Sequence, residues 1–162
     1  MIELKDILKF AHENLGSYLN DSPLLNWYLL CLYEKDQIIV IKNNDEIKAI
    51  QGYFLCTDED LPYIETGDWT LPLQYSYGDI LYLALTISIP DYKGLSTKYL
   101  KEIGKQIMKL VRHRDITKII AYDLPDKELK IWTKVFNKWI FRQGNLSLLK
   151  EGICEDNLVV AQ

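Results

Sequence analysis

Asp79-Ile-Leu-Tyr-Leu-Ala-Leu-Thr-Ile-Ser-Ile-Pro-Asp-Tyr-Lys-Gly-Leu-Ser-Thr97 joins three kinds of local structure without a spacer. Ile80–Ile89 is apolar and β-branched and ends at Pro90, which is the pattern of a buried strand. Lys93-Gly-Leu-Ser-Thr97 is a short turn carrying one glycine and two small hydroxyl residues. From about Ser96 to Arg112 the apolar positions Leu100, Ile103, Ile107, Leu110 and Val111 recur at helical spacing. A strand, a small-residue turn and a helix start in that order make a cradle for a diphosphate. Exposed peptide N–H groups and the positive end of the helix both favour an anion there.

Upstream, residues 3–18 place Leu4, Ile7, Leu8, Ala11 and Leu15 on one helical face. Asp21-Ser22-Pro23 is a helix start, and the helix is expected to run from Leu24 to about Tyr33 with Trp27 and Leu30 buried. Gln37–Ile41 is strand-like, Asn43-Asn44-Asp45 is a turn, and Ile47–Cys56 returns, so the three form a β-hairpin. Residues 57–78 break the pattern. They are acidic (Asp58, Glu59, Asp60, Glu65, Asp68) and aromatic (Tyr63, Trp69, Tyr75, Tyr77), with Pro62, Gly67, Pro72 and Gly78 as breakers. A connection of that length tends to serve a function. Downstream, Lys118–Tyr122 reads as a short strand and Lys127 to about Trp139 as a helix capped by Asp126. Asn145–Leu149 and Leu158–Val160 read as a closing hairpin around Gly152. The order is α-α-β-β-(long loop)-β-α-β-α-β-β, an α/β layout with helices covering a central sheet.

A chain of 162 residues with 48% hydrophobic residues is expected to form one domain, 1–162, with a real core. A net charge of −4 argues against nucleic acid as a partner, because phosphate backbones require a concentrated basic surface. No apolar run is long enough to span a bilayer, so no membrane partner is expected. Cys31, Cys56 and Cys154 are odd in number and far apart, which suits buried free thiols better than disulfides or metal ligands. His12 and His113 have no acidic or cysteine neighbours at ligand spacing, so no metal is expected. The expected protein is reduced, soluble and cytoplasmic.

Three segments resemble the GCN5-related N-acetyltransferases. Ile47-Lys-Ala-Ile-Gln-Gly-Tyr53 is similar to that family's second and third strands, and Ile89-Pro-Asp-Tyr-Lys-Gly94 to the end of the fourth strand and the acyl-CoA loop. Val135-Phe-Asn-Lys-Trp-Ile-Phe141 is similar to the late segment where the last helix gives way to a strand. The resemblance covers nearly the whole chain. It implies an acyl-CoA N-acyltransferase-like α/β fold, with a mixed central sheet flanked by helices, and acetyl-CoA as co-substrate. It implies that Lys93, Gly94, Leu95, Ser96 and Thr97 cradle the pyrophosphate, and that Ile87, Ser88 and Ile89 hold the pantetheine. Ser22-Pro-Leu-Leu-Asn-Trp27 and Asp68-Trp-Thr70 also resemble the toxin-activating lysine acyltransferases, with Leu25 or Asn26, and Thr86, at the places of their catalytic pair.

Transfer of an acyl group to an amine needs proton handling. Tyr122 and Asp123, just after a short strand, are the candidates for acid and base; Asp123-Leu-Pro-Asp126 also reads as an ordinary turn and cap. Tyr82 and Asp79 are further candidates. Lys101, Lys105 and Lys109 form a basic stripe that suits either CoA phosphates or a solvated helix face. Ser96 and Lys98 stand where the family carries small residues, and Phe136 where it commonly carries a tyrosine acid. Those departures favour a second reading, a catalytically inactive module that binds a protein partner through 57–78. The same segment also suits a cationic amine substrate, by carboxylate pairing and cation–π contact. A fatty acyltransferase acting on protein lysine is a third reading, and a homodimer is compatible with each.

Overall fold

The structure is a computed structural model and describes residues 2–14, 23–65, 77–91, 94–122, 140–143 and 146–149. Helices α1 (Leu4–Asn14) and α2 (Pro23–Glu34) come first. The second ends in a Schellman arrangement: the Gln37 N–H donates to the Leu32 carbonyl, the Asp36 N–H donates to that of Tyr33, and Asp36 takes the left-handed φ of 57°. Strands β1 (Ile38–Asn43) and β2 (Glu46–Cys56) follow as an antiparallel hairpin. Asn44 and Asp45 connect them, both left-handed at φ 54° and 64°, which is the turn that matches strand twist.

Residues 57–78 were expected to lack periodicity, yet the first part is helical. Asp58–Asp60 form a 3-10 turn and Leu61–Glu65 form α3. The Thr57–Asp60 capping box explains this, since Asp60 accepts both the backbone N–H and the hydroxyl of Thr57. Asp68, Trp69, Pro72 and Tyr75 lie outside the described residues.

The chain then forms β3 (Ile80–Ser88), the short strands β4 (Pro90–Asp91) and β5 (Gly94–Leu95), α4 (Thr97–His113), β6 (Lys118–Tyr122), β7 (Ile140–Gln143) and β8 (Leu146–Leu149). The main sheet runs β1-β2-β3-β6-β8-β7, with β3 and β6 parallel and the other pairs antiparallel. β4 and β5 pair separately, Pro90 with Leu95 and Asp91 with Gly94. Gly94 and Leu95 of the expected turn are thus paired as a short strand, while Lys93 lies outside the described residues.

Two packed layers build the core. On one face of the sheet, Ala49, Tyr53, Leu81, Leu83 and Ile119 meet Leu100, Ile103, Ile107 and Val111 of α4. On the other, Ile50, Phe54, Ile80, Tyr82 and Ile87 meet α1 and α2. Here the expectation for α2 fails. Leu25, Tyr28, Leu29 and Leu32 are the buried set, while Trp27 and Leu30 are 41% and 37% exposed. Nearly every residue of α2 is apolar, so its spacing alone leaves the inward face undecided. The closing hairpin is also corrected: Leu146–Leu149 pairs with Ile140–Gln143, not with Leu158–Val160, which lies outside the described residues. Gln143 pairs with Leu146 across a Gly-Asn dipeptide, a strong hairpin signal. The expected helix over 127–139 lies outside as well. Among the described residues no helix is long and apolar enough to cross a membrane.

Candidate acyl-donor site

The site begins with a register fault. On β2, Gly52 pairs with Leu85 and Tyr53 with Leu83, so Ala84 of β3 is an extra residue. The bulge changes which residues face which layer. Leu81 and Leu83 pack under α4, Ala84 and Leu85 both turn toward α2, and Ile87 continues on that side. Thr86 and Ser88 accordingly face α4. Gly52 sits opposite the bulge because a Cβ there would stand 2.6 Å from Leu32 Cδ1.

The bulge coincides with the end of another pairing. β6 runs beside β3 only from Ile80↔Lys118 to Leu83↔Ala121. Tyr122 already pairs with Leu146 of β8. Among the described residues, β3 from Ala84 to Ser88 therefore has a neighbour on the β2 side alone. An open parallel edge offers a row of peptide N–H and C=O groups to an extended ligand.

At the far end of this edge stands the start of α4. Ser96 is its N-cap, extended at φ −73° and ψ 109°, and its carbonyl accepts from the Leu100 N–H at 3.0 Å. The Ser96 side chain makes no capping bond. The first helical N–H groups have no carbonyl within the helix, as at any α-helix start. Ser96 is 5% exposed, and its own N–H donates to the Ser88 hydroxyl at 3.2 Å. That bond ties the strand to the helix and removes one of the expected cradle amides. Lys98 is exposed, with its ammonium 5.4 Å from the centroid of the Tyr99 ring. It sets a cation in the first turn, where the helix dipole alone disfavours one and a bound anion favours it.

The expected residues are placed as follows. Ile87, Ser88 and Ile89 form the last part of β3 and its exit, with the Ile89 N–H donating to the Lys48 carbonyl at 2.9 Å. Gly94 and Leu95 form β5, Ser96 caps α4 and Thr97 begins it. Tyr122 ends β6 one residue beyond the last β3–β6 pair. Lys93 and Asp123 lie outside the described residues. Asp79 stands at the opposite end of β3, where its carboxylate accepts from the Thr117 hydroxyl at 3.0 Å. Tyr82 packs on Phe54, against α2 and away from α4. Burial, and to a lesser degree the neighbouring Tyr82, push the Tyr28 hydroxyl well above its ordinary pKa. Leu25 belongs to the α1–α2 layer and Thr86 to the α4 face, so the sheet separates those two positions. Among the described residues no group of three or more His, Cys, Asp and Glu is arranged to hold a metal.

Sequence reasoning passed over Gln51. It is fully buried and pairs with Thr86 across the strands. A lone glutamine in an apolar strand, directly before a glycine, was the available signal.

No family model matches this chain, and no curated protein sequence does. Its structure, however, is similar to solved structures. Arylalkylamine N-acetyltransferase 2 from Aedes aegypti matches with a TM-score of 0.54 at 16% identity, over 82% of this chain and 76% of that one. The loading GNATL domain of CurA from Lyngbya majuscula matches with a TM-score of 0.53 at 12% identity, over 78% of this chain. This chain covers 63% of that domain. A protein from Staphylococcus aureus Mu50 classed as an acetyltransferase matches with a TM-score of 0.52 at 19% identity, over 90% of both chains. The chain therefore has the acyl-CoA N-acyltransferase fold, a mixed sheet flanked by helices.

Proposed function

We propose that this protein transfers an acetyl or related acyl group from acyl-CoA to an amine. The observation that carries the reading is the release of β3 from its neighbour at Ala84, in a strand that leads to the start of α4. The residues present suit an acyl-CoA. Peptide groups of Ile87–Ile89, less the Ile89 N–H that the Lys48 carbonyl takes up, would pair with the amides of the pantetheine arm. The Lys93–Thr97 segment, less the Ser96 amide, would hold the diphosphate together with the Lys98 ammonium. Fixing donor and amine side by side supplies much of the rate for such a reaction.

The amine nitrogen bonds to the thioester carbonyl carbon, the C–S bond breaks, the thiolate takes a proton and the amine loses one. Strand N–H groups at the bulge would stabilise the oxyanion, since they need no reorganisation as charge develops. Tyr122 and Asp123, at and after the end of β6, are assigned the proton transfers. The amine is a small molecule or a protein side chain, reached through 57–78.

A second reading, an inactive protein-binding module, draws on two observations. The Ser88 hydroxyl takes up a cradle amide, and Tyr63 and Tyr77 are 50% and 63% exposed at either end of 57–78. Thermal melting with acetyl-CoA separates the two. Acyl transfer requires a rise in melting temperature by mass action, about 2.7 kcal/mol of stabilisation at one hundred times the dissociation constant. Gly94→Val should remove that rise. An intact fold with no response to acetyl-CoA would leave the binding module as the better reading.

A further inference from the structure

Complete burial of a carboxamide costs free energy unless its groups find partners. Gln51 is 0% exposed and has them. Its Nε2 donates to the Gly52 carbonyl at 2.8 Å, and its Oε1 accepts from the Thr86 hydroxyl at 2.5 Å. The first bond fixes the orientation of the amide, because only the nitrogen can donate to a carbonyl. The oxygen must then face Thr86, and the hydroxyl proton is committed to it. Thr86 Oγ1 is left to act through its lone pairs. It is a hydrogen-bond acceptor.

The place of this acceptor gives it meaning. Gln51 and Thr86 face each other on the α4 side of the sheet, one pair beyond Gly52↔Leu85 at the bulge. Thr86 is half-buried and lies within the stretch of β3 that has no β6 partner. Ser88, bonded to the start of α4, shares its face about 7 Å further along. A donor held by phosphates at α4, with its thioester at the bulge, passes Ser88 and then Thr86. Backbone groups serve a ligand lying in the edge, whereas a side chain standing on the face serves a group just above it.

The geometry points to Thr86, held as an acceptor by Gln51, as a specificity residue that receives an amide N–H from the arm of the acyl donor. This rests on the acyl-transfer reading above. Gln51 acts only through Thr86 and is a positioning residue.

Calorimetric titration with acetyl-CoA and, separately, with ADP tests it. ADP carries a diphosphate without the arm. Thr86→Val should weaken acetyl-CoA binding about three- to tenfold, the worth of one hydrogen bond, and leave ADP binding unchanged. Thr86→Ser should restore acetyl-CoA binding. Gln51→Leu should weaken acetyl-CoA binding by a similar factor, and adding it to Thr86→Val should cost nothing more. Equal acetyl-CoA affinity in Thr86→Val and the parent protein overturns the inference while the acyl-transfer reading stands. Equal loss of both ligands overturns it too, because the role is then structural. A parent protein that binds neither ligand overturns the reading beneath. If Thr86→Val fails to fold, Thr86→Ala carries the same comparison.

Discussion

Gly78 holds φ +129°, and a Cβ built there would stand 2.0 Å from the Cys56 carbonyl oxygen. The obstacle is backbone, which cannot swing aside. Gly78→Ala should therefore cost about 3 kcal/mol or more, read as a lower urea midpoint with an unchanged slope. Gly52→Ala meets only the tip of Leu32, a side chain that can shift, and should cost about 1 kcal/mol. The sequence marks Gly78 as a break and sets Gly52 inside a strand, but it cannot rank the cost of the two changes, because the ranking depends on which atoms lie opposite. Ser88 shows the same limit. Its strand position was legible, but its bond to the Ser96 N–H was not, because the two residues meet only after the chain has turned. Ser88→Ala leaves that N–H free for an outside anion. ADP titration should find tighter binding in this variant, by about threefold, and weaker binding would mean that the serine only orders the helix start.

At the scale of elements, α4 was readable because its two faces differ. Leu100, Ile103, Ile107 and Val111 are buried, while Lys101, Lys105 and Lys109 are exposed. Ile103→Ala should cost about 2–5 kcal/mol, since it empties space against the sheet. Lys105→Ala removes only an exposed contact with Glu102 at 3.1 Å and should change stability by less than about 0.5 kcal/mol. Chemical denaturation of the pair checks both. The β1–β2 hairpin was equally readable, since a β-branched run and an Asn-Asp turn point to the same element. The inward face of α2 was not, and neither was the β4–β5 hairpin, whose strands are too short to carry a period. The family resemblance came from three short segments, Ile47–Tyr53, Ile89–Gly94 and Val135–Phe141, together with the element order. The bulge at Ala84 could not be foreseen, because a shift of register belongs to two strands at once.

For the whole molecule, the sheet order β1-β2-β3-β6-β8-β7 sets distant parts of the chain side by side. The parallel β3–β6 pair is bridged by α4, and that crossover is what carries the helix start to the edge that β3 leaves open among the described residues. Stability should also respond to alkali. Burial first, then Asp60, Asp79 and Asp58, pushes the Cys56 thiol from an ordinary 9.0 up to about 12. Its neutral form is favoured in the folded state, so its contribution is complete below about pH 9 and is lost as pH rises toward 12. Melting temperature should fall over that window, and Cys56→Ala should flatten the fall. A further consequence follows from the outer rim of the sheet. β1 lies at one end of the order, and its pairing with β2 slips between Ile41 and Lys42. A kinked rim bearing an exposed lysine resists lengthwise annealing to a twin molecule. Self-association, where it occurs, should leave this rim bare, and backbone amides of β1 should exchange equally fast in dilute and concentrated solution.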